Sequence, residues 1–321
     1  MMEFVEGVKA KETLGIAQIL EGSYEGKKIR MNGAVHNVRD MGEVAFVILR
    51  KAEGLVQCVY EEGVTNFDIH DLKEESAVEV LGTVKAEERA PHGFEIRLEE
   101  IKVLSQPAEP MPIPISKWKM NTSLETKLAL RPVSLRNVRE RAKFKIQEGI
   151  VRGFRDYLFT QGFTEIHTPK IGAKSAEGGA NMFRLSYFHR PAVLQQSPQL
   201  YKQMMVGVFD RVFETGPVFR AEKHNTRRHL NEYTSLDFEM GYIDGMEDVM
   251  QMETAMLQHT MAYVKEHCAP EIALLDVDVP RIGAIPCIRF ADALALLKTL
   301  GGGKNRNDLT PEDEVLLCEY Y

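Results

Sequence analysis

Phe219-Arg220-Ala221-Glu222-Lys223-His224-Asn225-Thr226-Arg227-Arg228-His229-Leu230-Asn231-Glu232 lies between two apolar runs, Asp210 to Val218 and Tyr233 to Met240. The flanking runs read as two strands, so the charged stretch is a long loop joining them. It packs three arginines, two histidines and two glutamates into fourteen residues. Such a loop is poor at burial and well suited to holding a polyphosphate, because guanidinium groups meet phosphate oxygens in pairs. On charge alone a solvated loop of surface salt bridges explains it about as well.

The chain of 321 residues has room for two or three domains, and at 44% hydrophobic and 27% charged it has an ordinary globular composition. No apolar run reaches the length of a membrane span, and Met1 to Ala10 has no apolar signal region. Cys58, Cys268, Cys287 and Cys318 are far apart, without metal-ligand or redox spacing. They read as reduced thiols of a cytoplasmic protein. The net charge of -7 hides an asymmetry: Lys117 to Arg155 carries eleven Lys and Arg against Glu125, Glu140 and Glu148. That band is able to meet an RNA backbone, although a solvated helix face is the commoner use of such charge.

Upstream of the loop, Glu12 to Leu20 is a short amphipathic helix candidate. Five strand-like runs follow at 28–39, 43–50, 55–61, 77–87 and 94–104, with a helix expected over 66–75 and a hairpin turn at Lys51 to Gly54. Three strands, a helix and two strands is the order of an OB-fold, a barrel that binds oligonucleotides; a small Greek-key barrel without a ligand shares the pattern. Ser105 to Pro114 holds four prolines and reads as a linker. Beyond it, Val138 to Gln161 and Met246 to His267 have helical spacing. Gly162 to Pro169 reads as a short strand, and Leu309 to Glu314 as a capped helix start.

Gln196-Ser197-Pro198-Gln199-Leu200-Tyr201-Lys202-Gln203 puts a proline at a helix start, with Gln199 and Lys202 three apart on one face. A long amide and a cation so placed can grip an amino acid at two ends, although an exposed lysine is the norm. Ser175-Ala176-Glu177-Gly178-Gly179-Ala180 is glycine-rich enough for a close-approaching loop or a plain turn.

Taken together, strand, Phe-Arg-x-Glu, loop, Arg-His and strand resemble the second signature motif of class II aminoacyl-tRNA synthetases. Within that class the chain is most similar to aspartyl-tRNA synthetases of the archaeal and eukaryotic type. The resemblance implies an N-terminal OB barrel (1–106), a hinge (107–136) and an α+β catalytic domain built on an antiparallel sheet (137–321). It implies ATP as substrate, with Arg220 as the catalytic arginine bridging the α-phosphate and the amino-acid carboxylate. Glu222 would recognise the adenine side, Arg228 and His229 the terminal phosphates, and Tyr233 would stack on the base, with Ala221 and Leu230 beside them. The Ser-Pro-Gln-x-x-Lys run would place Gln199 near the amino group of aspartate and Lys202 on its side-chain carboxylate. Glu177 and Asp237 would also contact the amino acid. Asparaginyl-tRNA synthetases lack that run, which favours L-aspartate.

In the barrel, Arg39, Phe46 and Gln57 match the family's anticodon-reading positions, although Phe46 lies in a run too apolar to show its side. His36 and Pro91 match two positions where members that charge both tRNA(Asp) and tRNA(Asn) tend to carry His and Pro, in place of Trp and Lys. Gly162 to Pro169 resembles the first class II motif, which implies a homodimer. The third motif and the acids that hold Mg2+ would lie downstream of Tyr321. Gly301-Gly302-Gly303-Lys304 is not that motif, and the catalytic sheet is expected to be incomplete and the 321-residue chain nearly inactive by itself. The rival readings are an asparaginyl-tRNA synthetase, a paralogue that makes a free amino acid, and a non-catalytic RNA-binding piece.

Overall fold

The computed structural model describes residues 13–174, 181–223, 230–303, 305 and 307–321. It divides into two compact units, the first ending at Arg141 and the second running from Ala142 to Tyr321. The first opens with α1 (Ile16–Glu21) and five strands: β1 (Lys28–Asp40), β2 (Val44–Arg50), β3 (Leu55–Glu61), β4 (Ala77–Ala86) and β5 (Phe94–Ser105). They close into a barrel in the order β1-β2-β3-β5-β4, sealed by parallel pairing of Gln57–Val59 with Glu95–Arg97. Alternate residues point inward: Ala45, Val47 and Leu49 of β2 join Val56, Cys58 and Ile96 in one core. Gly82 marks where β4 and β5 come closest, since a Cβ there would lie 2.3 Å from the Arg97 carbonyl oxygen.

The helix expected over 66–75 is not formed; only Ile69–Asp71 makes a single 3-10 turn. The Asp68 side chain accepts from the His70 amide, Leu72 returns to extended backbone, and Glu75 takes a positive φ of 67°. The apolar residues that suggested a helix, Ile69 and Leu72, instead plug the barrel core. The proline-rich segment is also more than a spacer. Ile113, Ile115 and Met120 form a small core with Met111, Leu130 and Val133, the last two from the neighbourhood of α2 (Leu124–Ala129) and α3 (Arg131–Ser134). The Asn137 amide donates to the carbonyls of Ile115 and Lys117 at 2.9 and 2.8 Å.

The second unit contains most of α4 (Val138–Thr160), then β6 (Thr164–Glu165), β7 (Ile171–Gly172), β8 (Arg184–Tyr187), β9 (Arg190–Leu194), α5 (Gln199–Phe209), β10 (Arg211–Phe219) and β11 (Glu232–Met240). The helices α6 (Met246–His267), α7 (Ala269–Leu275), α8 (Phe290–Thr299) and α9 (Pro311–Tyr320) follow. β10 and β11 are the antiparallel pair expected on either side of the charged loop, with Phe213 opposite Phe238 and Glu214 opposite Asp237. β6 adds to β10 in parallel, and β7-β9-β8 form a separate sheet. The α9 start is capped by Thr310, and Asp313 accepts from the Gly303 amide at 2.7 Å, which ties the triple-glycine turn to a helix end.

Period-2 alternation gives the β10–β11 pair two unlike faces. Phe213, Leu236, Phe238 and Met240 pack against Phe154 and Leu158 of α4 and Met256 of α6. The opposite face carries Glu214, Ser235, Asp237 and Glu239. Phe213 is fully buried and meets the rings of Phe154 and Phe159 edge-on at 5.6 and 5.2 Å. Phe213→Ala is expected to destabilise the second unit by about 3–5 kcal/mol, the usual cost of emptying a phenylalanine site. Urea titration followed by circular dichroism checks this, and a loss below about 1 kcal/mol would show that this face is not a packed core.

Candidate active site

The polar face of β11 meets α5. Lys202, 5% exposed, points its ammonium between two carboxylates, 3.1 Å from Asp237 Oδ1 and 3.4 Å from Glu239 Oε2. Ser235 Oγ donates to the other Asp237 oxygen, and Gln199 Nε2 donates to Glu239 Oε2 at 3.4 Å. Lys202 and Gln199 share a helix face, while Ser235, Asp237 and Glu239 share a strand face. Ser197 Oγ accepts the Gln199 amide at 3.1 Å and helps to start α5. One ammonium against two carboxylates leaves a surplus negative charge. Such a cluster favours a ligand with a cationic group for the acids and an anionic group for the lysine, as in an amino acid with an acidic side chain.

Arg220 stands at the end of β10. Its guanidinium lies 6.0 Å over the Tyr233 ring. Its amide donates to the Asn231 carbonyl at 3.0 Å, and the next amide, of Ala221, donates to the Asn181 carbonyl at 2.9 Å. The Glu222 amide turns back to the Arg220 carbonyl at 2.8 Å, and Leu230 is exposed. Glu177, Arg228 and His229 lie outside the described residues. The structure thus gathers Gln199, Lys202 and Asp237 into one contact set and Arg220 with Tyr233 into another. It adds Glu239, which the sequence reading passed over although it stands two residues beyond Asp237 on the same strand face. Among the described residues no group of three or more His, Cys, Asp or Glu is placed to hold a metal ion.

A second candidate site lies on the barrel. Arg39, Phe46 and Gln57 line one cavity of about 430 Å³ with Val44, Val59, Glu87, Arg89, Glu95 and Arg97. Phe46 stands outside the barrel core, between the inward-pointing Ala45 and Val47, so its ring is available for stacking. Arg39 is paired with Phe46 in the β1–β2 register. The buried Glu95 carboxylate accepts from Gln57 Nε2 at 3.0 Å and from Arg97 Nη2 at 2.9 Å, which holds the polar edge of the cavity in place.

His36 and Pro91 do not line that cavity. His36 is the extra residue of a bulge, since Val35 pairs with Leu49 and Asn37 with Ile48. The bulge buries His36 as well as Val35. Its Nδ1 lies 3.4 Å from Arg50 Nη1, and Arg50 grips the buried Glu75 with two bonds of 2.5 and 2.8 Å. Arg136 adds a third bond at 2.9 Å. Pro91 is exposed at the start of a 3-10 turn before β5.

Comparison with known proteins identifies the family. The model for class II tRNA synthetases (D, K and N) matches residues 123–320, and that for the OB-fold nucleic acid binding domain matches residues 29–104. An aspartate–tRNA(Asp/Asn) ligase of Deinococcus radiodurans is 46% identical over 300 residues, covering 93% of this chain and 68% of that protein. The ligase of the same name from Thermus thermophilus is 43% identical, over 93% of this chain and 69% of its own length. Among solved structures, an asparaginyl-tRNA synthetase of Pyrococcus horikoshii complexed with asparaginyl-adenylate superposes with a TM-score of 0.82. It is 31% identical and is matched over 93% of this chain and 70% of that one.

The His36 cluster has a pH consequence. Burial and the neighbouring Arg50 charge hold His36 below its ordinary 6.5. Burial pushes the Glu75 carboxyl up, but the bonds and charges of Arg50 and Arg136 outweigh this and hold it below 4.5. Unfolding therefore takes up a proton at His36 as pH falls through 6.5, and later one at Glu75 as pH falls from 4.5 through its lowered value. Both losses destabilise the first unit in acid. Its urea midpoint, read from Trp118 fluorescence, is expected to drop between about pH 7.5 and about pH 5.5 in the native chain and not in His36→Gln. The same drop in both would sink the assignment.

Proposed function

The chain belongs to the class II tRNA synthetases of the D, K and N group, and on that premise we propose that it activates L-aspartate with ATP and passes it to tRNA. The observation that carries the choice of amino acid is Lys202, buried at a helix start between two acids. An aspartate side-chain carboxylate would add a further charged partner to that ammonium, and the aspartate ammonium would answer the surplus charge of Asp237 and Glu239. Asparagine would offer Lys202 only a carbonyl dipole, and a site built for a charge rejects an analogue lacking it.

In the reaction, an oxygen of the aspartate α-carboxylate attacks the α-phosphorus of ATP. The bond to the bridging oxygen breaks, and pyrophosphate leaves with its electron pair. Arg220 would bridge the carboxylate and the α-phosphate, neutralising charge while holding the two reactants together. Tyr233, already against Arg220, would stack on the adenine with Ala221, Glu222 and Leu230 beside it. Arg228 and His229 would take the terminal phosphates, and Glu177 would contact the amino acid. A hydroxyl at the 3′ end of tRNA would then attack the aspartyl carbonyl of the adenylate, and AMP would leave as the ester forms.

On the barrel, Phe46 would stack on a splayed anticodon base while Arg39 and Gln57 bond base edges. The partners would be tRNA(Asp) and tRNA(Asn), the pair in the names of the two ligases above. Pro91 offers no donor for a base edge. His36, being buried, would act by shaping β1 rather than by touching a base. A homodimer and a cytoplasmic setting complete the reading; no helix among the described residues is long and apolar enough to cross a membrane.

In the complete enzyme, Lys202→Ala is expected to lose roughly 2–5 kcal/mol of transition-state stabilisation for aspartate, the range for stripping a desolvated charge of its partner. Unchanged aspartate-dependent ATP–pyrophosphate exchange in the variant would refute the assignment. For the tRNA range, both transcripts are expected to be charged with aspartate. Charging of tRNA(Asp) with no detectable charging of tRNA(Asn) would rule out the relaxed reading.

A further inference from the structure

Two consecutive glutamines follow β9 and lead straight into the start of α5. In extended chain their side chains point to opposite sides. Gln195 is 5% exposed and Gln196 fully buried. Gln195 Nε2 donates to the Lys174 carbonyl at 3.0 Å, and Gln196 Nε2 donates to the Asn181 carbonyl at 3.2 Å. The backbone of Gln195 binds on both edges: its amide donates to the Lys170 carbonyl at 2.9 Å, and its carbonyl accepts the Phe219 amide at 3.0 Å. The fit is close, because a Cβ on Gly172 would lie 2.1 Å from Gln195 Nε2.

The Asn181 carbonyl accepts two donors, the Gln196 side chain and the Ala221 amide. Ala221 follows Arg220 directly, and Arg220 is gripped from the other side through its amide bond to Asn231. Among the described residues, the arginine backbone is thus held by Asn231 and, through Ala221, by Asn181, and Asn181 is itself held by Gln196. The lysine pocket has separate supports, Asp237, Glu239 and Ser235 on β11.

We propose that Gln196 is a positioning residue for Arg220: through the Asn181 carbonyl it fixes where the arginine meets the reacting phosphate, with Gln195 bracing the adjoining turn. The inference rests on the aspartate-activation reading. It predicts that loss of the amide donor lowers turnover more than it weakens binding of the amino acid, because Arg220 would give aspartate one contact, to the α-carboxylate, while the lysine pocket, held by separate bonds, gives the others.

The test uses the complete enzyme with Gln196→Met, which keeps size and removes the donor, and Gln196→Glu, which also sets a carboxylate against the Asn181 carbonyl. In aspartate-dependent ATP–pyrophosphate exchange, kcat is expected to fall about tenfold or more in Gln196→Met, and further in Gln196→Glu, while KM for aspartate stays within about threefold. The melting temperature of Gln196→Met should remain close to that of the parent. Should Gln196→Glu fail to fold, Gln196→Met decides alone. A kcat within about threefold of the parent overturns the proposal. So does a parallel fall of kcat, aspartate affinity and melting temperature, which would mark Gln196 as packing only. If the parent enzyme itself shows no aspartate-dependent exchange, the functional reading fails instead.

Discussion

A buried ammonium is expensive unless carboxylates and hydrogen bonds replace its water. Lys202 meets that condition with Asp237 and Glu239, and much of the second unit follows from it. The two acids must stand two apart on one strand face. That strand must then show its other face, Leu236, Phe238 and Met240, to an apolar layer, which α4 and α6 supply. The helix that carries Lys202 must begin close to the acidic face, which Pro198 and the bond from the Gln199 amide to Ser197 Oγ arrange. Site and core are thus the two sides of one ladder, and neither can be altered far without the other.

What was legible in the sequence is what local periodicity encodes. The β10–β11 pair, α4 and α6 lie close to where alternation and helical spacing put them. The barrel strands were also readable, because each is a run rich in β-branched and apolar residues bounded by turn residues. The stretch 66–75 was misread for a physical reason: Ile69 and Leu72 have helix-like spacing, yet they serve the barrel core, and Asp68 and Glu75 bend the backbone out of a helix. Phe46 could not be assigned because its neighbours on β2 are apolar on both faces; the barrel decides its side. The bulge at His36 is equally invisible, since an extra residue in one strand leaves no mark on composition.

The site was legible only in part. Gln199, Lys202, Arg220 and Asp237 stand in compact runs with a chemical pattern, and the fold brings them to the places where those patterns can act. Glu239 carries no motif of its own and acquires meaning only when α5 lies over β11. Gln195 and Gln196 are uncharged and precede the recognisable run, so nothing local distinguishes them from solvent-facing polar residues. Their partners are backbone carbonyls some fifteen to twenty-one residues away, and contacts of that kind are set by topology rather than by sequence pattern.

Charge placement bears on how an acidic chain would present itself to the RNA of the proposed reaction. The basic band from Lys117 to Arg155 is partly consumed within the fold: Lys127 pairs with Glu140, Arg136 with Glu75, Lys145 and Arg152 with Glu148, and Arg155 with Glu165. Those pairs spend charge on structure, so the band is a weaker electrostatic footprint than its composition suggests. On the proposed reading, recognition by the barrel would then rely on shape and stacking. The cavity around Phe46 would suit that demand, because two of its three arginine charges are offset by Glu87 and Glu95. A cavity so largely offset in charge gains little from a phosphate backbone and most from a base that fits, which is the distribution of energy a sequence-reading site requires.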